Sequence, residues 1–491
     1  MEYAYKNREI AILSSAVATQ KDDRLLIQKN TIFTTYDKAQ KYFIHIQHTL
    51  HQPGSKKGMW LLLLLTFLLF CGAAAQCFYP TTDPARYQCD ALVFWLGSSA
   101  THLLPAVQCQ FLHLTTAQQA FQMLPQEYPP LTLLLFSLPL LAPVAFYQVA
   151  FALLMSLLVI LVYALLLRYG IPGAAIAFLF FLIIGACALV PMRYDLLPAA
   201  LTLMSLIAAR RGRWMLAYIA LALGVLLKIY PILLLPALFI AEQQSKERFY
   251  RPADSSLAQM PRDLYHTLRG CTRWQWRNCL LFFVMIIGIT GSFALLDFNN
   301  AVVSQFDYFL KRPIQIESPG ASLLWLAHLG GVNWRIVYNF GSINIYTGLN
   351  NLISPTFTVL FLLGVLYVYW MQWQQRLNIT RTMIALTLVF ISTGKVFSPQ
   401  YLIWLIPLLA YDGAFNAIWT YLWGAICLLT TGIYIIFYSQ ILDPRHIQLP
   451  AGFFEVVTIR NILLATLTLA YLFNWFQARP QQKAEQTTIP S

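Results

Sequence analysis

Long apolar runs recur along this chain and constrain its fold more than any other feature. One of them extends from residue 145 to residue 167 without a charged side chain. A helix of about 20 apolar residues crosses the hydrocarbon core of a bilayer. Only 11% of the 491 residues are charged, whereas soluble domains average about 25%. The runs therefore predict a polytopic membrane protein rather than a soluble protein with a large core.

The apolar runs predict an all-α fold with about twelve transmembrane helices. The predicted spans are 59–75, 145–167, 174–190, 196–209, 214–229, 232–241, 280–296, 354–370, 383–394, 401–409, 416–438 and 456–476. Several of them are short, so their ends extend into flanking polar residues. A further apolar stretch, 129–142, is short and bounded by prolines. We interpret it as a juxtamembrane helix that lies in the interface of the first outer loop.

These spans divide the chain into one multispan catalytic membrane domain and two polar tails. The tails are residues 1–58 and 477–491, the membrane domain is 59–476, the outer loops are about 76–142 and 297–353, and the cytosolic loop is about 242–279. With a cytosolic N-terminus, 24 of the 33 Lys and Arg residues lie on the inside. This bias follows the positive-inside rule. It predicts a multi-pass protein of the cell membrane with both termini cytosolic.

The net charge of +13 is therefore explained by the basic residues of the predicted cytosolic segments, and it gives no indication of nucleic-acid binding. The basic, Trp-containing part of the cytosolic loop predicts contact with anionic lipid headgroups. Membrane lipids are therefore expected partners.

Ionisable residues from distant parts of the sequence converge on the predicted outer side. They are Asp83, Asp90, Arg193, Asp195, Lys228, Asp307, Lys311, Arg312, Glu317, Arg335 and Lys395. Charges at helix ends often only reach toward the interface, and this alternative stays open for Lys228 and Lys395. Arg193 lies in a loop too short to be simply solvated. Because ionisable groups beside apolar segments are costly, they indicate a functional site.

Carboxylates and cations at this surface suit sugar transfer from a lipid phosphate. One carboxylate takes the proton of the acceptor hydroxyl, and cations stabilise the departing phosphate. The sequence has neither a D-x-D motif nor a GxxxxGK[ST] phosphate-binding loop, which points away from nucleotide substrates. The cysteines and histidines show no common metal-ligand spacing, so we expect no metal and no cofactor.

Several motifs resemble those of a known family. The motifs are R-Y-D-L-L-P-A-A-L (193–201), A-A-R-R-G-R-W (208–214), L-L-K-I-Y-P (226–231), E-Y-P-P-L (127–131), R-P-I-Q-I-E-S (312–318) and K-V-F-S-P-Q-Y-L-I-W (395–404). Together they are similar to C-type membrane glycosyltransferases, and most similar to family 87, the polyprenyl-phosphate-mannose-dependent α-mannosyltransferases. The resemblance covers roughly residues 83 to 404.

The resemblance implies a catalytic aspartate in the first outer loop and a second acidic position that matches Asp195. Asp83 and Asp90 both have an aromatic residue four positions later. Asp83 is favoured because Asp-x-x-x-Tyr is closer to the family pattern, and Asp90 stays open as the alternative. Lys228, Arg193 and Lys395 are expected to hold the phosphate. The remaining substrate-binding candidates in the matched motifs are Tyr128, Tyr230, Arg312, Glu317, Gln400 and Tyr401.

Three features keep more than one interpretation. Tyr128 shapes the cavity or belongs to a structural turn, and Glu317 binds acceptor hydroxyls or pairs with Arg312. Cys89 and Cys109 lie in a predicted outer loop, an oxidising setting in which a disulfide can close a loop of 20 residues; free thiols are the alternative.

The sequence thus predicts an inverting transfer of a sugar, with mannose implied by the resemblance, from a polyprenyl-phosphate donor to a glycan or glycolipid acceptor at the outer membrane face. One alternative is a transporter or flippase of lipid-linked or anionic substrates, which needs charges at the bilayer midplane. Another is a lipid-linked glycan ligase, which shares the outer-face chemistry but takes a larger donor.

Overall fold

The computed structural model describes residues 56–112, 118–247, 260–413, 419–441 and 447–473, together with positions 38, 41 and 45. The predicted tails, 1–58 and 477–491, lie outside these ranges except for those three positions and residues 56–58. Part of the predicted cytosolic loop 242–279 also lies outside them.

The described residues fold mainly into α-helices. In chain order these are α1 (Lys56–Ala74), α2 (Asp83–Leu96), α3 (Thr132–Ser137), α4 (Tyr147–Tyr169), α5 (Ala174–Ala186), α6 (Leu196–Arg210), α7 (Trp214–Leu227), α8 (Leu235–Ser245), α9 (Met260–Arg269), α10 (Arg277–Ala294), α11 (Ser304–Lys311), α12 (Pro319–Leu329), α13 (Asn350–Trp373), α14 (Ile379–Thr393), α15 (Tyr401–Gly413), α16 (Gly424–Gly432) and α17 (Phe453–Leu472). Each predicted span overlaps one of these helices, although span 416–438 overlaps only the nine residues of α16.

Within the described ranges, five helices are long and apolar enough to cross a membrane. They are Val144–Tyr169, Arg277–Ala294, Asn350–Trp373, Thr420–Gln440 and Phe453–Leu472. The shorter apolar helices are 10–17 residues long and include α5, α6, α7, α14 and α15. Helix length and composition therefore fit a membrane protein and identify five spans, fewer than the twelve that the sequence predicts.

The core lies where the shorter apolar helices pack together. Phe178 on α5, Leu203 on α6, Leu221 on α7 and Ile406 on α15 are fully buried in one cluster. Lipid is as apolar as these side chains, so close packing of helices stabilises such a bundle. Gly185 on α5 shows how close the packing is, because a Cβ there would lie 2.8 Å from Cys427 Sγ.

Helices α10 and α13 lie at the periphery. In each, only 11% of the apolar window is buried within the protein. Most of their apolar surface therefore faces outward, where lipid can cover it.

In the predicted first outer loop, the described residues 76–112 and 118–142 form α2, α3 and short 3-10 turns. Cys89 and Cys109 form a disulfide that ties α2 to the turn Ala106–Leu112. In α3 and the turn that follows, Leu134, Leu138 and Leu141 are exposed along one face, as their spacing requires. This exposed apolar face is typical of a helix that lies along a membrane interface.

A small antiparallel sheet lies in the predicted later outer loop, in the order β1-β3-β2. Its strands are β1 (Ile314–Gln315), β2 (Trp334–Asn339) and β3 (Ser342–Thr347). The all-α prediction missed this sheet. Its turn residues Phe340 and Gly341 both have positive φ, but the pair lacks the usual Asn-Gly or Asp-Gly sequence that signals a hairpin.

Candidate functional site

The start of α2 fixes the position of Asp83. Thr82 precedes the helix, and its Oγ1 accepts a hydrogen bond from Ala85 N across 3.3 Å. The same hydroxyl donates to Gln148 Oε1 on α4 across 2.6 Å. The cap therefore ties the first turn of α2 to a neighbouring helix. Asp83 itself forms an ion pair with Arg193 Nε, and the two side chains are 16% and 24% exposed.

Arg193 and Asp195 lie in the short connection between α5 and α6. The Asp195 side chain is 1% exposed. Its Oδ1 accepts hydrogen bonds from Lys228 Nζ at 2.5 Å and from Trp404 Nε1 at 2.6 Å. Lys228 follows the end of α7, and Trp404 lies on α15. Residues from three helical segments thus meet at one carboxylate oxygen.

Aromatic rings surround the Lys228 ammonium. Its Nζ lies 4.9 Å from the centre of the Tyr194 ring and 5.2 Å from that of Trp404. Trp404 is stacked between Tyr230, at 4.1 Å, and Tyr401, at 4.0 Å. Ring faces attract cations, so the rings and Asp195 together hold a charge that is still 17% exposed.

A second ion pair joins α2 to the E-Y-P-P segment. Arg86 Nη2 lies 2.9 Å from Glu127 Oε1. The turn between β2 and β3 packs on this pair, because a Cβ on Gly341 would lie 3.5 Å from both Arg86 Nη1 and Glu127 Oε1. The two predicted outer loops therefore meet beside Asp83, three residues before Arg86.

Gln305 on α11 holds the E-Y-P-P segment in place. Its Nε2 donates to Tyr128 O at 3.0 Å and to Gln126 O at 3.2 Å. These bonds flank Glu127 and fix the backbone that carries both Glu127 and Tyr128.

An aromatic cluster packs beside the segments that carry Asp83 and Asp195. Tyr87 stacks on Phe136 at 4.2 Å and contacts Tyr194 edge-to-face at 5.7 Å. Tyr128 contacts Tyr194 at 5.5 Å. Since Tyr194 lies between Arg193 and Asp195 in the chain, this cluster connects α2 to both ion pairs.

The segment 395–401 approaches the site from another direction. Lys395 Nζ donates to Leu310 O at 3.1 Å, and Lys395 O accepts from Gln315 N on β1 at 3.0 Å. Burial, together with the positive charge of Arg312, lowers the pKa of Lys395. Gln400 Oε1 accepts a hydrogen bond from Ser398 at 2.8 Å. The sheet thereby positions the segment that carries Tyr401, which contacts Trp404.

Glu317 has protein partners and lies in the interior. Its carboxylate accepts a hydrogen bond from Tyr438 across 2.7 Å and lies 3.6 Å from Arg460 Nη1. The Arg460 guanidinium also lies 3.7 Å from the centre of the Phe397 ring. Glu317 and Arg460 are both fully buried, so this pair joins the chain after β1 to α17. The geometry favours neither of the two interpretations that the sequence leaves open for Glu317.

Asp90 lies about two turns after Asp83 on α2 and is 6% exposed. Burial raises the pKa of Asp90 to about 8, against the opposing effect of Arg86. A buried carboxyl with this pKa is largely protonated at neutral pH, so only a minor fraction of it is ionised and able to accept a proton. Of the two first-loop aspartates, Asp83 is therefore the better candidate for a general base.

The structure also adds residues to which the motifs assign no role. Trp404 lies within K-V-F-S-P-Q-Y-L-I-W, but the motif gives no indication that its indole binds Asp195. Arg460 could have been identified from sequence, because an arginine inside an apolar run indicates a buried partner. The Arg86–Glu127 pair carries no local signal, since its members lie in separate segments.

The described residues contain no group of three or more His, Cys, Asp or Glu side chains that could hold a metal ion. No model of a known protein family matches the chain, and a comparison with curated proteins finds no match either.

Proposed function

We propose that the protein is a membrane glycosyltransferase that takes a sugar from a polyprenyl-phosphate donor. The observation that carries this proposal is the adjacency of two ion pairs, Asp83–Arg193 and Asp195–Lys228. Three of these four charges are partly exposed, whereas Asp195 is buried. A bound anion would therefore meet the two cations before it met the carboxylate of Asp195.

The proposed topology has twelve spans, with both termini in the cytosol and the site at the outer face of the cell membrane. In support, each of the predicted spans overlaps a helix among the described residues. Shorter helices can complete a crossing with their flanking turns; the 3-10 turn Tyr230–Leu234, for example, runs directly into α8. The charge bias of the loops sets the orientation.

In the proposed reaction, the acceptor hydroxyl attacks the anomeric carbon from the side opposite the phosphate. The new C–O bond forms as the bond to the phosphate oxygen breaks, and the phosphate leaves with the bonding electron pair. Asp83 takes the proton of the acceptor hydroxyl. Arg193 and Lys228 stabilise the negative charge on the departing lipid phosphate. One displacement inverts the configuration of the sugar.

Arg193 has two roles in this scheme. Without donor, it is paired with Asp83. A donor phosphate competes for the guanidinium, and its arrival leaves Asp83 free to accept a proton. Asp195 and Trp404 keep Lys228 in position throughout. Arg312 and Lys395 supply further positive charge beside the segment that carries Tyr401.

The direct test is sugar transfer in isolated membranes. Membranes that contain the protein are offered labelled polyprenyl-phosphate-mannose or polyprenyl-phosphate-glucose, and the movement of label is followed. Loss of a general base lowers the rate by about 10²- to 10⁴-fold, so Asp83→Asn should lose transfer by that factor while remaining folded.

Asp307→Asn is the matched control. Asp307 pairs with Lys311 at 2.7 Å, but its side chain is 48% exposed, so transfer should be unchanged. Full activity in Asp83→Asn, and also in the double variant Asp83→Asn/Asp90→Asn, would overturn the assignment. Movement of the lipid from one leaflet of a liposome membrane to the other, without any sugar transfer, would favour a flippase instead.

A further inference from the structure

Two buried hydroxyl groups beside the ion pairs have no hydrogen-bond partner in the part of the chain that the structure describes. The phenol groups of Tyr87 and Tyr194 are fully buried, and neither hydroxyl has a hydrogen-bond partner among the described residues. Buried polar groups are usually hydrogen-bonded, and each exception needs an explanation. Other buried polar atoms of the chain also lack partners, but these two share ring contacts and chain neighbours with the ion pairs.

The two tyrosines lie against the same charges. Their ring centres are 5.7 Å apart. Tyr194 directly follows Arg193, and the Lys228 ammonium lies 4.9 Å from its ring centre. Tyr87 lies one turn after Asp83 on α2. Both rings therefore lie next to residues of the two ion pairs, Tyr87 on the helix of Asp83 and Tyr194 beside Arg193 and Lys228.

The chemistry of this surrounding selects an anion. A phenol hydroxyl donates a hydrogen bond, and the side chains of Arg193 and Lys228 can only donate. The cations are paired with Asp83 and Asp195 but are partly exposed, whereas the two hydroxyls have no acceptor among the described residues. This combination fits a ligand that supplies several acceptor oxygens and negative charge. A phosphate group has both properties.

We infer that Tyr87 and Tyr194 donate hydrogen bonds to the phosphate of the lipid donor. This inference rests on the proposed function and adds two residues to the phosphate site. It also predicts how each hydroxyl affects stability and binding. Without ligand, a buried hydroxyl that makes no hydrogen bond destabilises the folded protein; when the phosphate binds, the hydroxyl forms that bond and strengthens binding.

The test uses the full-length protein in detergent and a short-chain polyprenyl phosphate that carries no sugar. A hydrogen bond to a charged group is stronger than one between neutral groups. Tyr87→Phe and Tyr194→Phe should therefore each raise the Kd for this probe about tenfold or more. Their melting temperatures without ligand should equal or exceed that of the wild type, since each change removes a buried hydroxyl that has no partner among the described residues.

Tyr147→Phe is the matched control. Tyr147 is also fully buried, and its hydroxyl donates to Phe136 O across 2.8 Å. The change should lower the melting temperature and leave the Kd for the probe unchanged. A variant that merely perturbs packing would move stability rather than affinity, so the two readouts separate a binding role from a structural one.

The outcomes distinguish this inference from the proposed function. Wild-type affinity for the probe in both Tyr87→Phe and Tyr194→Phe would overturn the inference, even if the wild type transfers sugar. Weaker binding in both variants, with no sugar transfer by the wild type, would support the phosphate site and overturn the transferase. No binding of the probe by the wild type would overturn the inference directly.

Discussion

Trp404 donates its indole N–H to Asp195 Oδ1 across 2.6 Å, and Lys228 binds the same oxygen across 2.5 Å. The other oxygen, Oδ2, is buried and has no hydrogen-bond partner within the described ranges. A buried carboxylate is costly unless it is paired and hydrogen-bonded. Its charge is therefore supported at one oxygen only, by one cation and one indole. Trp404 thus stabilises the carboxylate that positions Lys228.

Trp404→Phe should destabilise the protein by about 1–3 kcal/mol, because it leaves the buried Asp195 with one donor fewer. The matched control is Trp370→Phe, since the Trp370 indole N–H has no hydrogen-bond partner among the described residues. Thermal unfolding in detergent compares the two. Equal losses of melting temperature would show that the indole bond to Asp195 contributes nothing beyond ring packing.

Arg193→Gln should weaken donor binding more than it slows the chemical step. The change removes one charge-assisted contact to phosphate, which contributes about 1.5–3 kcal/mol, so KM for the lipid donor should rise at least tenfold. Steady-state transfer kinetics separate KM from kcat. Arg335→Gln is the control, because Arg335 is exposed on β2 and should leave both constants unchanged. A variant Arg193→Gln in which neither KM nor kcat changed would contradict the phosphate role.

The charged residues of the site could be predicted from the sequence for a physical reason. Arg193, Asp195 and Lys228 interrupt apolar runs, and a charge is retained there only at a cost. The structure brings these three residues together with Asp83. Their pairing could not be predicted, because it depends on how α2 and α15 approach the turn before α6.

The sheet and the Glu317–Arg460 pair show a second limit of sequence patterns. The hairpin turn lacks the usual residues, and Glu317 lies in a loop whose path is set by contacts with α17. From the motif alone, Glu317 is a substrate ligand or a partner of Arg312. Only its burial and the hydrogen bonds that Arg460 and Asn461 donate to its backbone oxygen show that it lies in the interior.

Arg460→Leu should destabilise the protein by about 3–5 kcal/mol, because it leaves the Glu317 carboxylate buried without its cation. The double variant Glu317→Gln/Arg460→Leu should recover much of this loss, since it no longer buries an unpaired charge. Thermal unfolding of the wild type, both single variants and the double variant gives the coupling between the two residues. Additive losses would mean that the pair has no net interaction.

Asp90 should make stability depend on pH. Burial raises its pKa in the folded protein to about 8, from an ordinary value of 3.8. Between these values the folded state keeps the proton and the unfolded state releases it. The contribution of Asp90 to the free energy of unfolding is therefore fully present below about pH 4 and is lost as pH rises to about 8. Above about pH 8 the contribution no longer changes with pH.

Asp90→Asn tests this dependence, because the amide is neutral at every pH. The melting temperature of the wild type minus that of Asp90→Asn should fall as pH increases from 4 to 8, since other titrating groups are common to both proteins and cancel. The same difference for Asp307→Asn, whose side chain is exposed, should stay nearly flat. If the Asp90 difference were also flat, the carboxyl would titrate alike in both states, and its protonation could not be the reason for preferring Asp83 as the base.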